Sequence, residues 1–197
     1  MIDRESKAWA QAILNKCTGQ PSVVRHFDPE KQFSIDIFSA QLKDGITLHA
    51  TIGLLEINQA DAISSEETSE KAEIYTELLL TADEDQEYAG HILAAAALQM
   101  IKEGWNAYPN ACFKRMVELE YPNANTQHLY FLTPQIIDPA LEEVNIGTKI
   151  IRPLVALPIS DSEFAHWEKT KRDASKLLRL FDKAKPDISD FNRESIV

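Results

Sequence analysis

Apolar and polar positions recur along this chain in patterns that divide it into helices, strands and loops. From Ile2 to Cys17 the residues Trp9, Ile13 and Cys17 fall four apart with Ala8 and Ala12 beside them, the period of an amphipathic helix, and Gly19, Gln20 and Pro21 stop it. Short extended runs follow at Ser22–Phe27, Phe33–Phe38 and Ile46–Leu54. In the third, Ile46, Leu48, Ala50, Ile52 and Leu54 alternate with Thr47, His49, Thr51 and Gly53, which predicts a half-buried strand. The apolar face of that strand needs a cover. The pattern nominates a helix over Glu84–Glu103, opened by a Thr-x-x-Glu capping box at Thr81–Glu84 and closed at Gly104. With Ile92, Leu93, Ala94 to Ala97, Leu98, Met100 and Ile101, this helix is apolar on every side and is expected at the centre, its alanines allowing close approach to a sheet.

Strands are predicted again at Cys112–Leu119, Gln127–Leu132 and Lys149–Ile159. Ser160 and Glu163 then form a second capping box. It starts a helix whose stripe of Phe164, Trp167, Ala174, Leu177, Leu178 and Phe181 runs to Lys185 and Pro186. Helix, strands, helix, strands, helix without regular βα alternation predicts an α+β fold: mixed or antiparallel sheets packed around a buried central helix, with N- and C-terminal amphipathic helices. The 197 residues suit one domain over 1–197, with no internal repeat and no Pro- or Gly-rich linker. At 44% hydrophobic and 26% charged, the composition is that of a chain that folds by itself.

Charge sharpens this picture. The formal net charge is -11, which argues against direct binding to nucleic acid or anionic lipid and favours a basic partner. The excess is local: eleven acidic residues and a single base, Lys71, lie between Glu56 and Glu87. Residues 57–72, rich in Ser, Glu and Ala, read as an acidic flexible loop. The partner-binding residues expected from this stretch are Glu66, Glu67, Glu70, Glu73, Asp83, Glu84, Asp85 and Glu87. No export signal is apparent, and the longest apolar run, Ile92–Leu98, is far shorter than the roughly 18 residues of a membrane span. Two cysteines suit a reducing compartment, so a cytoplasmic location is expected.

The chemistry-bearing residues form no recognisable active site. The six glycines are never closer than eight apart, which excludes GxGxxG, GxxxxGK and GxSxG and with them a phosphate cradle or a nucleophile elbow. Glu87 with His91 and Glu163 with His166 have helical metal-ligand spacing, but a di-iron site needs a four-helix bundle, and surface or capping roles are favoured. Cys17 at a helix C-terminus and Cys112 at the start of a strand read as packing residues. His26, His49 and His128 sit in separate strands without a partnered nucleophile, His128 reading as structural, and the three tryptophans read as core or helix-end packing. No catalytic residue, metal or cofactor is expected.

Four stretches in order resemble the suppressor-of-fused-like family: Tyr75-Thr-Glu-Leu-Leu-Leu80 running into Asp83–Tyr88 and the alanine-rich helix; Gly104-Trp105; Tyr121-Pro-Asn123 through Gln127-His-Leu-Tyr-Phe131; and Leu157-Pro-Ile-Ser160 followed by Glu163. The closing Asp190–Val197 is similar to the Arg-x-Ser-Val/Ile-Val ending of many bacterial members. The resemblance covers Glu73–Val197, and the first seventy residues match only loosely. It implies a non-catalytic protein-binding role. Animal members bind a transcription factor and hold it in the cytoplasm, and bacterial single-domain members resemble immunity proteins encoded beside the toxin they neutralise. The function expected here is therefore that of an immunity protein, or antitoxin, for a cognate, basic toxin encoded by an adjacent gene. The alternative is a regulatory adaptor with no toxin involved. The resemblance also implies that Arg193 and Ser195 tie down a C-terminal strand, with Ile196 and Val197 packing.

Overall fold

The fold is described from a computed structural model, which covers residues 4–42, 45–54, 61–63, 72–137, 141–146 and 149–197, with 61–63 and Ala72 described by backbone alone. It is α+β. The spine of its sheet is a parallel pair, β5 (Ala72–Asp83) and β9 (Lys149–Ile159), in register from Glu73 opposite Lys149 to Leu79 opposite Val155. Beyond β5 lie β3 (Ile46–Ile52), β2 (Ser34–Gln41) and β1 (Ser22–Phe27), each antiparallel to its neighbour. Beyond β9 lie β7 (His128–Leu132) and the two-residue β6 (Cys112–Phe113). Two three-residue strands, β4 (Asp61–Ile63) and β8 (Val144–Ile146), pair with the starts of β5 and β9. β4 falls within the stretch expected as an acidic loop; residues 57–60 and 64–71 of that stretch lie outside the described residues.

β9 carries Pro153 and Pro158, and proline donates no ladder hydrogen bond, so each must sit where one side of the strand is open. Pro153 lies between the part of β9 paired with β8, which ends at Ile151, and the part paired with β7, which begins at Val155. Pro158 lies past Val155, where pairing with β5 has stopped. That second opening is filled from elsewhere: the Pro158 carbonyl accepts from Arg193 Nη2 at 3.0 Å.

Both faces of the sheet are covered, which explains the unbroken apolar runs in its central strands. On one face Ile35, Ile37, Leu78, Leu80, Leu129, Phe131, Leu154 and Ala156 pack against α2 (Ala89–Glu103). On the other, α1 (Arg4–Leu14) lays Trp9 and Ile13 over Leu48, Ala50, Ile52 and Leu79. Further along that face α4 (Asp161–Lys169) and α5 (Ala174–Ala184) place Phe164, Trp167, Leu177 and Phe181 over Tyr130, Leu132, Leu157 and Ile159. The alternating face of β3 is thus covered by α1 and not by the central helix, because α2 lies on the opposite side of the sheet.

Three other local expectations are corrected. The Thr81–Glu84 capping box does not form: Thr81 is buried within β5, opposite Leu48, and α2 starts only at Ala89 with no side-chain cap. Pairing with β3, which runs on to Asp83 opposite Ile46, outweighs one capping hydrogen bond. The stretch 112–119 is a strand only at Cys112–Phe113, because Arg115 turns into the left-handed region (φ 56°) and α3 (Met116–Glu120) follows. The last predicted helix is two, broken after Lys169 by Lys171 and Arg172 at φ 58° and 59°. Gly104 ends α2 in the left-handed conformation as expected, and the Ser160–Glu163 box is present.

That second box anchors the chain end. Glu163 is fully buried, and its carboxylate accepts from the Ser160 backbone (2.9 Å), from Arg193 Nη1 (2.6 Å) and Nη2 (2.8 Å), and from the Ile196 backbone (3.1 Å). Arg193 is 6% exposed and lies over the Phe181 ring. The Ser195 hydroxyl reaches those of Ser160 and Ser162 at 3.0 and 2.6 Å. Arg193 and Ser195 do tie the tail down, although no strand forms there; Ile196 packs against the α4–α5 cluster while Val197 is 55% exposed. Breaking a buried pair strands a charge, so Arg193→Ala should lower stability by about 3–5 kcal/mol in urea unfolding. A loss below about 1 kcal/mol would show the pair to be no more than a surface-type contact.

Candidate interaction surface

Where β3 and β5 diverge after Ala50 opposite Leu79, the freed backbone groups are taken by side chains. The Trp9 indole N–H donates to the Thr51 carbonyl (2.9 Å), the Leu78 N–H to Thr51 Oγ1 (2.8 Å), and the Gly53 N–H to the Glu77 carboxylate (3.0 Å), which also accepts from Thr51 Oγ1 (2.5 Å). Glu77 is fully buried. One of the eleven acids counted along the sequence is therefore a structural group and adds nothing to the surface.

The remaining acids separate. Glu66, Glu67 and Glu70 lie outside the described residues. Glu73 is exposed at the start of β5, accepting from the Tyr75 hydroxyl at 2.7 Å. Asp83 closes the same strand, about 30 Å away at roughly 3.3 Å per residue. It begins a turn to α2 that the Gln86 and Glu87 backbone N–H groups close on the Asp83 and Asp85 carbonyls. Glu84, Asp85 and Glu87 are exposed on this turn, with the Gln41 amide bonded to Glu84. The structure thus brings Asp83, Glu84, Asp85 and Glu87 together and leaves Glu73 apart.

It also adds two acids that the sequence reading missed. The C-terminal segment runs beside the turn: the Asp83 N–H donates to the Ser189 carbonyl, and the Ser189 hydroxyl lies 2.6 Å from both Asp83 Oδ1 and Asp187 Oδ1. Asp187 is exposed and Asp190 half-buried. Tyr88 stacks on Tyr121 at 5.3 Å, and Asn192 donates to the Tyr121 hydroxyl. Among the described residues, no lysine or arginine pairs with any of these six carboxylates. A separation of 106 residues between Ser189 and Asp83 leaves no local signal to read.

The other candidates resolve into structural roles. Glu87 precedes α2, so it forms no helical pair with His91, whose ring meets that of His26 edge-on at 4.8 Å. Glu163 is committed to Arg193, and no group of three His, Cys, Asp or Glu suited to a metal occurs among the described residues. His128 Nδ1 accepts the Arg115 N–H (2.9 Å), so Nε2 carries the proton and faces Asp161 (2.9 Å): a structural histidine with both nitrogens used. Burial raises both thiols, Cys112 to about 12, which disfavours a nucleophilic thiolate. Trp9 and Trp167 are core, whereas Trp105 is 41% exposed and edge-on to Phe113.

The sequence and the fold define a protein class. The suppressor of fused protein (SUFU) family pattern matches residues 31–194, well over half of the chain, and the chain belongs to that family. A curated relative, immunity protein YqcF of Bacillus subtilis (strain 168), is 28% identical over 198 residues, spanning 100% of this chain and 99% of that protein. Among solved structures, a SUFU homolog from Neisseria gonorrhoeae FA 1090 shares the fold at TM-score 0.68 and 14% identity, over 100% of this chain and 97% of that one. The Sufu-Fu complex crystal structure aligns at TM-score 0.62 and 11% identity, over 99% and 91%. Drosophila Suppressor of Fused aligns at 0.56 and 11%, over 98% of this chain and 50% of that one. Among the described residues no helix is long and apolar enough to cross a membrane.

His49 lies beneath the N-terminus of α2, with Nδ1 2.8 Å from Ser39 Oγ. Burial, with His26 adding to it, lowers its pKa to about 4. Because the folded value lies below the unfolded one, the stability it reflects is complete above about pH 6.5 and is lost as pH falls toward 4, by about 3 kcal/mol at most. Thermal unfolding followed from pH 7 to 4 should show this loss, and His49→Gln should flatten it; equal slopes in both proteins would remove His49 as the cause.

Proposed function

We propose that this chain is a non-catalytic immunity protein that neutralises a bacterial toxin by binding it directly. The observation that carries this reading is the likeness to an immunity protein along the whole of both chains. The toxin is basic, is encoded by the neighbouring gene, and is met in the cytoplasm. Its contact is the turn Asp83, Glu84, Asp85 and Glu87, extended by Asp187 and Asp190, with Glu66, Glu67, Glu70 and Glu73 as a further acidic stretch. Carboxylates on the turn that pair with no lysine or arginine among the described residues suit this role, since a basic partner is drawn to them. For a nuclease toxin, these carboxylates would stand where phosphates stand.

The second reading, a regulatory adaptor for a cellular protein, draws on the family's Sufu-Fu complex. Co-expression with the neighbouring toxin gene separates the two. Immunity predicts restored growth and a stoichiometric complex, whereas neither would occur for an adaptor. Within the complex, Glu84→Lys with Asp85→Lys and Glu87→Lys should slow association about tenfold or more at low salt. Glu73→Lys, made separately, reports on the far end of β5. An unchanged rate in the triple variant would exclude the turn as the contact.

A further inference from the structure

At the β6 edge of the sheet a cavity of about 350 Å³ opens between the 106–114 loop and α4. Among the described residues no carboxylate lines it, although the chain as a whole carries -11. Its charged lining residues are Lys114 and Arg172, both held in place: Lys114 Nζ sits 4.5 Å from the centre of the Phe164 ring, and Arg172 Cζ 5.3 Å from that of Trp167. Both also approach Glu168, outside the lining, at 3.5 and 3.4 Å. These contacts are long and exposed, the kind that contributes little, so an incoming anion can share the two cations.

The neutral lining donates too. Asn110 uses its Oδ1 to accept from the Tyr130 hydroxyl (3.0 Å), which leaves its NH₂ to donate. Burial keeps the Cys112 thiol protonated, so no anion competes from within the wall. Backbone strain is concentrated at the same place: Asn110 and Arg172 both occupy the left-handed region, at φ 73° and 59°, as does Lys171 beside them. Left-handed non-glycine residues are unfavourable and gather where a geometry is used. Here they turn Arg172 back over Trp167.

The geometry points to a binding site for an organic monocarboxylate with an apolar or aromatic body, its carboxylate between Lys114 and Arg172 and its body against the wall of Phe113, Phe164 and Trp167. Two cations sharing one Glu168 leave a single positive charge, which matches a monoanion and would leave a phosphate dianion in excess. The acid can be free or the C-terminus of a peptide. This site is separate from the acidic turn and does not depend on the immunity reading.

Titrations of the full chain followed by NMR, on the indole N–H of Trp167 and the amide of Cys112, test it with four probes: N-acetylphenylalanine, phenylacetate, N-acetylphenylalaninamide and inorganic phosphate. Saturable shifts with the two carboxylates, and at least tenfold weaker binding of the amide, are expected. Tighter binding of N-acetylphenylalanine marks a chain end as the source, and tighter binding of phenylacetate a free acid. Lys114→Gln with Arg172→Gln, at side chains 59% and 65% exposed and so safe for folding, should weaken the carboxylates at least tenfold. No carboxylate binding, equal binding of the amide, tighter binding of phosphate, or an unaffected double variant would each overturn the assignment.

Discussion

Glu163 and Arg193 form the contact on which the end of the chain and the surface beside it depend. A buried ion pair is costly to desolvate, and it persists when the remaining hydrogen-bonding capacity is also filled. Here four N–H donors converge on one carboxylate, two from the guanidinium and two from backbone, and the guanidinium also reaches the Pro158 and Glu194 carbonyls, so that of its nitrogens only the buried Nε is left without a partner. The same carboxylate completes the cap of α4. The pair therefore does three things: Glu163 starts a helix, Glu163 and Arg193 together fix the C-terminal segment, and Arg193 occupies the gap on β9 where pairing with β5 has ended.

From that anchor the tail is held back toward the acidic turn. Phe191 is fully buried in the α2 cluster, and its carbonyl accepts from both the backbone and the hydroxyl of Thr126. Ser189 then joins Asp83 to Asp187. The charge at this surface is thus a tertiary product: four acids come from the turn after β5 and two from a segment more than a hundred residues later. The sheet beneath it is held differently, since its parallel central pair is covered on both faces.

Much of this fold was legible in the sequence. Ser22–Phe27 and Lys149–Ile159 are strands over the predicted ranges, because β-branched and apolar runs between turn residues carry that information locally. The Ser160 box was readable for the same reason. Its counterpart at Thr81 has the same spelling and fails, because pairing with β3 extends β5 as far as Asp83. The break between α4 and α5 has neither glycine nor proline to announce it, and Lys171 and Arg172 are poor candidates for left-handed backbone. The acidic surface was half legible. Composition singled out the acids from Asp83 to Glu87, but the pattern put Glu84–Glu87 in a helix instead of a turn, and neither could tell buried Glu77 from exposed Glu84 or bring Asp187 beside Asp83.

The most direct test of the central dependence is native-state hydrogen exchange at the Ile196, Thr126 and Asp83 amides, each bonded within or against the tail. If the Glu163–Arg193 pair makes the tail part of the cooperative core, these amides will exchange only through global unfolding, with the same denaturant slope as the amides of β5 and β9. Exchange of all three through a low-energy local opening, with β9 and the rest of β5 still protected, would contradict the account: the tail would then be an appendage, and the acidic surface would rest on the turn alone.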